Sequence, residues 1–567
     1  MLGKVLEEIK NLLREAGVDS TEDFSVPPDP SMGDIAFPCF GIAKEQKKNP
    51  AEVAKEIELR IKNYELRIVS AVKAFGPYVN FYLNTGELAR LVIEEVKEKA
   101  EEYGNNDDGN GRKVMIEYPS QNTHKEFHIG HLRNICIGNT LTRLYDKSGY
   151  KISLVNYVND FGAHVAKCLW GVITLRRGKE PEDNKLKWLG EVYAEAGNYL
   201  AEHPEKKDEV EDLQNKFEAH DPSIWPLFSR TRDWCLEGFE KIYREMGISY
   251  ERVFYESELK ERGQQIVDEL LAKKIAQVGE RGAIIVDLTE YGLDIALLRK
   301  GNGAGLYITS DLALAEQKFS APDIDESINI TGDEQNFYFK QLFKILELNG
   351  FRRKLTHIGY GLVNLPEGKM SSRQGRVILY DDLREQVRAH LTTESAERHP
   401  DWNREKLADI TDTLTMAVLK FTMQKHEANK VIVFNFAEEV SFEGYSAPYL
   451  LYAVARINSL IRKSELKISH SKIKYELLKE SEEKQLLILI ANYPEVIKKA
   501  LAQYNPSVVA KFCFDLAQKF SEFYNKHSVL NAENEELTAA RVALCMAAKN
   551  TLVNALGVLS IETVDEM

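Results

Sequence analysis

The chain has six cysteines in 567 residues, and no two of them form a CxxC pair. Cys39, Cys136, Cys168, Cys235, Cys513 and Cys545 are scattered. That pattern argues against a disulfide framework or a structural zinc site and fits a reducing cytoplasm. No uncharged apolar run is long enough to span a bilayer, so no membrane association is expected. A secretory start is also missing. Leu2, Val5, Ile9, Leu12 and Leu13 are interleaved with Glu7, Glu8 and Lys10, which makes an amphipathic helix that stops at Gly17. There is no internal repeat and no long low-complexity segment. Nor is there an excess of positive charge: 74 Lys and Arg stand against 88 Asp and Glu, a net of -14 with a pI of about 5.6. This disfavours a protein that coats nucleic acid non-specifically. Local basic clusters can still meet RNA phosphates.

With 44% hydrophobic and 29% charged residues the chain reads as soluble and globular, and its length calls for two to four domains. The first hundred or so residues mix helical and strand-like segments. Gly104 to Gly111 is a polar, glycine-rich run with nothing to bury, and reads as a linker. Lys113–Tyr118 has the length and composition of a buried strand. A helical stretch, Leu132 to Lys147, then leads to a second strand, Lys151–Val158. Strand, helix, strand of that size is a βαβ unit and points to a parallel sheet. Residues 185–250 are charged and helical in pattern, an insertion carried on that sheet. Strand-like segments return at Ala283–Asp287, Leu306–Ile308 and Ser327–Ile330, and from residue 383 onward the periodicity is helical. Three blocks follow: a mixed one over 1–103, an α/β one over 112–382, and an all-helical one over 383–567.

Chemistry concentrates in two motifs. His128-Ile-Gly-His131 lies where the first strand turns into a helix. A helix N-terminus at the carboxyl end of a parallel strand offers free N–H groups and positive dipole to an anion. Two imidazoles there add donors for phosphate oxygens, and Gly130 lets an adenine ring approach the backbone. Alone, the four residues are weak evidence and are better read as two exposed histidines at a helix start. The second motif, Lys369-Met370-Ser371-Ser372-Arg373, is flanked by Pro366-Glu-Gly368 and Gly375. A glycine-flanked loop carrying a lysine can close over a triphosphate and stabilise charge as the α-phosphate is attacked. By contrast, Gly301-Asn-Gly-Ala-Gly305 lacks the lysine of a P-loop and reads as a turn feeding a strand before Tyr307.

In this order the two motifs resemble the HIGH and KMSKS signatures of class I aminoacyl-tRNA synthetases, and the arginyl family most closely. That resemblance runs through Ser120-Gln-Asn-Thr-His-Lys125, Asn159-Asp-Phe-Gly162, Tyr307-Ile-Thr-Ser-Asp311, Gly332-Asp-Glu-Gln335, Ser441 to Tyr449, and the ending Leu556 to Ile561 with Met567. It implies a multidomain protein: a small α+β N-terminal domain that touches tRNA, an α/β Rossmann-like parallel-sheet catalytic domain, and an all-α helical bundle that binds the anticodon. The implied reaction joins L-arginine to ATP, brought as its Mg2+ complex, and transfers arginine to its cognate tRNA. Activation is expected to need bound tRNA, the enzyme to be a cytoplasmic monomer, and no structural metal is expected.

Carried over residue by residue, the resemblance assigns catalysis to His128, His131, Lys125 and Lys369. ATP would meet His128, Gly130, His131, Lys369, Met370, Ser371 and Ser372. Arginine would meet Glu117, Ser120, Asn122, His128, Tyr307, Asp311 and Gln335. A planar, permanently charged guanidinium asks for carboxylates that accept paired hydrogen bonds, which suits Glu117 and Asp311. Each also has a plainer use, Glu117 at a strand end and Asp311 as a helix cap. Tyr445, Tyr449, Tyr452 and Arg456 are the expected tRNA contacts, through stacking and basic contacts with unstacked bases; equally, the tyrosines fit the packing of a helical bundle.

This sequence departs from the family pattern at several positions. Arg373 stands where KMSKS ends in lysine, so Lys125 would substitute for it. Gln121 replaces a usual proline, Asn139 an aspartate, Phe161 a larger aromatic and His164 a glutamine. Other readings are a different class I synthetase, a catalytically silent RNA-binding relative, or a small nucleotidyltransferase. A cysteinyl enzyme would want zinc ligands that the scattered cysteines do not supply.

Overall fold

A computed structural model describes residues 2–18, 24–27, 29–62, 64, 67–320, 323–364, 378–464 and 473–567. The N-terminal block contains α1 (Leu2–Glu15), β1 (Ile35–Pro38), α2 (Phe40–Gln46), α3 (Pro50–Ile61), β2 (Val69–Phe75), β3 (Tyr78–Leu83) and α4 (Thr85–Lys99). Its strands form an antiparallel sheet in the order β1-β3-β2. Val5, Ile9 and Leu13 of α1 are buried, as the amphipathic spacing requires.

The segment read as a linker has no helix or strand, but it is not loose. The backbone N–H groups of Asn106, Gly109 and Gly111 donate to the carbonyls of Lys147, Ser148 and Gly149. Its polar groups are satisfied by the end of the next helix, and so it packs as a fixed turn.

Beyond it come β4 (Lys113–Glu117), α5 (Ile129–Lys147), β5 (Lys151–Val158) and α6 (Ala163–Thr174), then a helical excursion of α7 (Lys185–Glu202), α8 (Lys207–Glu218) and α9 (Trp225–Glu245). The chain returns through β6 (Arg252–Tyr255) and α10 (Glu256–Ala272). A small antiparallel sheet follows, β7 (Gln277–Val278), β8 (Ile284–Val286) and β9 (Ala296–Arg299). Next are α11 (Tyr307–Lys318), β10 (Glu326–Gly332), α12 (Asn336–Leu348), β11 (Lys354–Tyr360) and β12 (Val363–Asn364). The main sheet has the order β11-β10-β4-β5-β6 with every pair parallel. A parallel sheet needs both faces covered. One face joins the large core that includes Ile116, Leu132 and Ile330, and the other packs Met115, Val155 and Phe254 against α10, α11 and α12.

Leu306–Ile308, read as a strand, is instead the start of α11. The apolar and β-branched trio has strand composition, but Thr309 overrides it. Its Oγ accepts from the Leu306 N–H at 3.2 Å, which closes the first turn of a helix. The Gly301–Gly305 turn therefore feeds a helix and not a strand.

The helical block comprises α13 (Tyr380–Arg398), α14 (Arg404–Gln424), β13 (Ile432–Val433), α15 (Phe436–Glu439), α16 (Ala447–Lys463), α17 (Ser481–Ala502), α18 (Ser507–Lys526) and α19 (Glu535–Val558). It is tied to the sheet domain by the β12–β13 pairing and by the buried Arg133 on α5. That guanidinium donates to the carbonyls of Gly361 and Leu362 on one side and Glu427 and Ala428 on the other, at 2.6 to 3.3 Å. The N-terminal block docks on the same helices: Lys484 pairs with Asp34 at 2.6 Å, and the Asn554 amide donates to Ala100 O at 2.8 Å.

Candidate active site

The strands β4, β5 and β10 all end at one crevice, the usual place for a ligand in an open parallel sheet. A cavity of about 710 Å3 opens there. Its walls include Glu117, Ser120, Asn122, Lys125, His128, Gly130, His131, Tyr307, Asp311 and Gln335. Residues separated by more than 200 positions are thus brought to one site. Lys369, Met370, Ser371 and Ser372 lie outside the described residues.

At one end of the cavity, His128 is the N-cap of α5, and its Nδ1 accepts from the Gly130 N–H at 3.1 Å. His131 Nδ1 in turn accepts from the His128 N–H at 3.3 Å, and the two rings stack with centroids 3.8 Å apart. An imidazole whose Nδ1 is an acceptor carries its proton on Nε2, so each ring keeps its N–H at Nε2. Burial, helped by nearby Lys125, holds His128 down to about 4 and pushes His131 well below its ordinary value. Both are neutral donors at pH 7 and not cations.

Lys125 sits on the loop between β4 and α5, its Nζ 5.5 Å from the Tyr193 ring centroid on α7. Burial lowers its affinity for a proton. The loop is pinned by His124, whose buried ring bonds Thr123 at 2.9 Å and Thr231 at 2.8 Å. Gln121, the departure from proline, turns away from the cavity, where its side chain accepts from the Tyr243 hydroxyl and its backbone O from the Asn159 N–H at 2.9 Å. The substitution is absorbed behind the pocket wall.

The other end is acidic. Glu117, at the end of β4, is buried, and its Oε1 accepts from the Asn329 amide at 2.9 Å and from the Ser120 hydroxyl at 3.4 Å. Its Oε2 lies 2.5 Å from Lys318 Nζ. Asp311, in the second turn of α11, accepts from the Tyr338 hydroxyl. Burial pushes the Asp311 carboxyl up to about 7; Glu117 adds to the rise, while Tyr338 and Lys318 oppose it. Glu256, at the start of α10, is raised to about 8 by burial and by Asp311 and Asp160. Tyr307 is exposed at the mouth, and Gln335 stands exposed on the turn after β10. Lys318, Asn329 and Tyr338 also line the cavity but were not among the residues expected from the sequence. For Lys318 a signal existed: it follows Asp311 by seven positions and so shares its helix face.

In the helical block, Tyr445 packs edge-on against Phe421 and Phe514, and Tyr449 also meets Phe514. Arg456 lies over the Tyr524 ring, 4.3 Å from its centroid. Tyr452 is exposed and lines a second cavity of about 190 Å3 with Arg398, Trp402, Phe442 and Met567.

Comparison with known proteins agrees with this geometry. Residues 93–436 match the family model described as tRNA synthetases class I (R), catalytic domain, which assigns the sheet domain and its crevice to that class. Residues 3–83 match the arginyl tRNA synthetase N-terminal domain, and residues 450–567 the DALR anticodon binding domain. Among curated relatives, the arginine--tRNA ligase of Clostridioides difficile is 34% identical over 99% of both chains. That of Treponema denticola is 32% identical over 96% of this chain and 95% of its own. Among solved structures, the arginyl-tRNA synthetase of Thermus thermophilus shares the fold over 100% of both chains, with a TM-score of 0.81 at 24% identity. The chain belongs to the arginyl-tRNA synthetase family.

Proposed function

We propose that this chain activates L-arginine with ATP and esterifies it to the 3′-terminal ribose of an arginine-accepting tRNA. One observation carries the reading: a single cavity is lined both by the imidazoles of His128 and His131 with Lys125, groups that suit phosphates, and by the carboxylates Glu117 and Asp311, which suit a guanidinium. ATP enters as its Mg2+ complex, a substrate and not a resident metal. The first amides of α5 are already taken by Ile378 and His128, so the ATP phosphates meet the side chains instead: the neutral His128 and His131 donate through Nε2–H, and Gly130 leaves room for the adenosine. Glu117 and Asp311 face the guanidinium, with Tyr307 over it at the mouth. Ser120, Asn122 and Gln335 hold the α-amino and carboxylate groups.

A carboxylate oxygen of arginine attacks the α-phosphorus, and the bond to pyrophosphate breaks. A ribose hydroxyl of the tRNA then attacks the adenylate carbonyl, and AMP leaves. The protein supplies alignment and charge stabilisation, with Lys125 and Lys369 as the cations on the phosphates. Lys369 to Ser372 enter this reading from the sequence alone. Activation waits for bound tRNA.

Three units divide the work: 1–103 touches the tRNA body, 112–382 holds the chemistry with its helical insertion at 185–250, and 383–567 reads the anticodon. In the last unit Tyr452, with Tyr445, Tyr449 and Arg456 nearby, offers an aromatic and basic surface for unstacked bases. No helix among the described residues is long and apolar enough to cross a membrane, and the enzyme works as a cytoplasmic monomer. Charging of total tRNA with labelled arginine, against the other amino acids, tests the proposal. Arginine alone is the expected substrate; charging with another amino acid, or with none, would overturn it.

A further inference from the structure

The acidic end of the cavity contains a cation of its own. Lys318 and Glu117 are 4% and 3% exposed and 2.5 Å apart, and Asn329 closes the group by donating to Glu117 Oε1 at 2.9 Å while its own Oδ1 lies 3.4 Å from Lys318 Nζ. All three side chains line the cavity that Asp311 lines. Taking such a pair out of water costs about as much as its attraction returns, so stability is a poor reason to keep it where apolar side chains would pack. Its place in the wall of a cavity for a charged ligand gives another reason. Glu117 and Asp311 count two negative charges, and a guanidinium carries one positive charge. With Lys318 the pocket counts one against one.

We propose that Lys318 is a positioning and charge-setting residue for the amino-acid substrate. It neutralises Glu117 and fixes its carboxylate to accept hydrogen bonds from the guanidinium. Asp311, which accepts from the Tyr338 hydroxyl and has no ion-pair partner among the described residues, is left as the carboxylate that meets the guanidinium charge. Selection against uncharged side chains of the same shape then comes from the single uncompensated charge. The inference rests on Glu117 and Asp311 being the guanidinium site.

The consequence is that Glu117 and Lys318 should be removable together more easily than Glu117 alone. In Glu117→Gln the ammonium is left unpaired beside the incoming guanidinium, and the arginine KM should rise about a hundredfold, as for breaking one side of a buried charge pair. Adding Lys318→Met, or Lys318→Gln as a second double variant, removes the stranded cation. The KM should fall back by about tenfold, equivalent to ~1.4 kcal/mol. Lys318→Arg should keep KM near the parent value. In all variants the KM for ATP should stay unchanged, which a loosened fold would not allow.

Inhibition by citrulline, an uncharged isostere of arginine, gives a second readout. The preference for arginine over citrulline should collapse in Glu117→Gln and return in the double variants. If both double variants fold and remain as impaired as Glu117→Gln, the charge-setting role is wrong. If Glu117→Gln itself leaves the arginine KM unaltered, the pocket assignment fails instead.

Discussion

The carboxyl of Asp311 should make arginine binding depend on pH across the neutral range. The groups facing it are Tyr338 on α12, Glu117 on β4, Lys318 on its own helix, Tyr157 on β5 and Glu256 on α10. Burial dominates, and the carboxyl titrates at about 7 in the empty site against an ordinary value of 3.8. The sign follows from which form arginine prefers. Below 7 the site is mostly neutral, and the guanidinium must first displace a proton, at about 1.4 kcal/mol per pH unit. Above it the carboxylate is ready. About one site in eleven is ionised one unit below the midpoint and ten in eleven one unit above, so the arginine KM should fall roughly tenfold between pH 6 and pH 8. By the same linkage, the neutral carboxyl's contribution to stability is present below 3.8 and lost as pH rises through about 7. Arginine should therefore protect the protein from heat more strongly at pH 8 than at pH 6.

The assay is initial-rate charging at saturating ATP and tRNA, with KM taken at each pH. Glu256, raised to about 8, is the competing carboxyl, and the Glu256→Gln variant separates the two. A profile that is flat in the parent, or one that vanishes in Glu256→Gln, would refute the assignment to Asp311.

Other consequences are smaller in scope. Lys125→Ala should abolish adenylate formation while the circular dichroism spectrum and melting profile stay those of the parent; near-normal activity would end its role as the substitute for the missing signature lysine. His128 and His131 are already neutral, so the KM for ATP should show no histidine inflection between about pH 6 and 8, where an ordinary imidazole titrates. Gly130→Ala would bring a Cβ within 2.9 Å of the His128 ring, and should raise the KM for ATP while sparing that for arginine. Arg133→Met strands four backbone carbonyls between the sheet domain and the helical block and should destabilise by about 3 kcal/mol, read as an earlier first transition in urea.

The parts legible in the sequence are those where local pattern and tertiary role agree. Lys113–Glu117 and Lys151–Val158 are apolar, bounded by turns, and became adjacent parallel strands. The His128-to-His131 motif starts a helix because the residues that cap it are the motif itself. Leu306–Ile308 has strand composition yet opens a helix, because nothing in those three residues signals the Thr309 hydroxyl that closes a helical turn over them. β11 at Lys354–Tyr360 carries little strand signal, its polar Lys354, Thr356 and His357 breaking the apolar run expected of a sheet strand. In the site, the family resemblance carries the two carboxylates but not their surroundings. The Glu117–Lys318 pair joins residues 201 positions apart, and nothing short of the fold brings them together.

The most direct test of the account is arginine-dependent exchange of pyrophosphate into ATP, run with and without arginine-accepting tRNA. Exchange that needs both arginine and tRNA is the expected result. Exchange without tRNA would keep the chemistry and refute the coupling, and a folded protein that shows no exchange in either case would contradict the account.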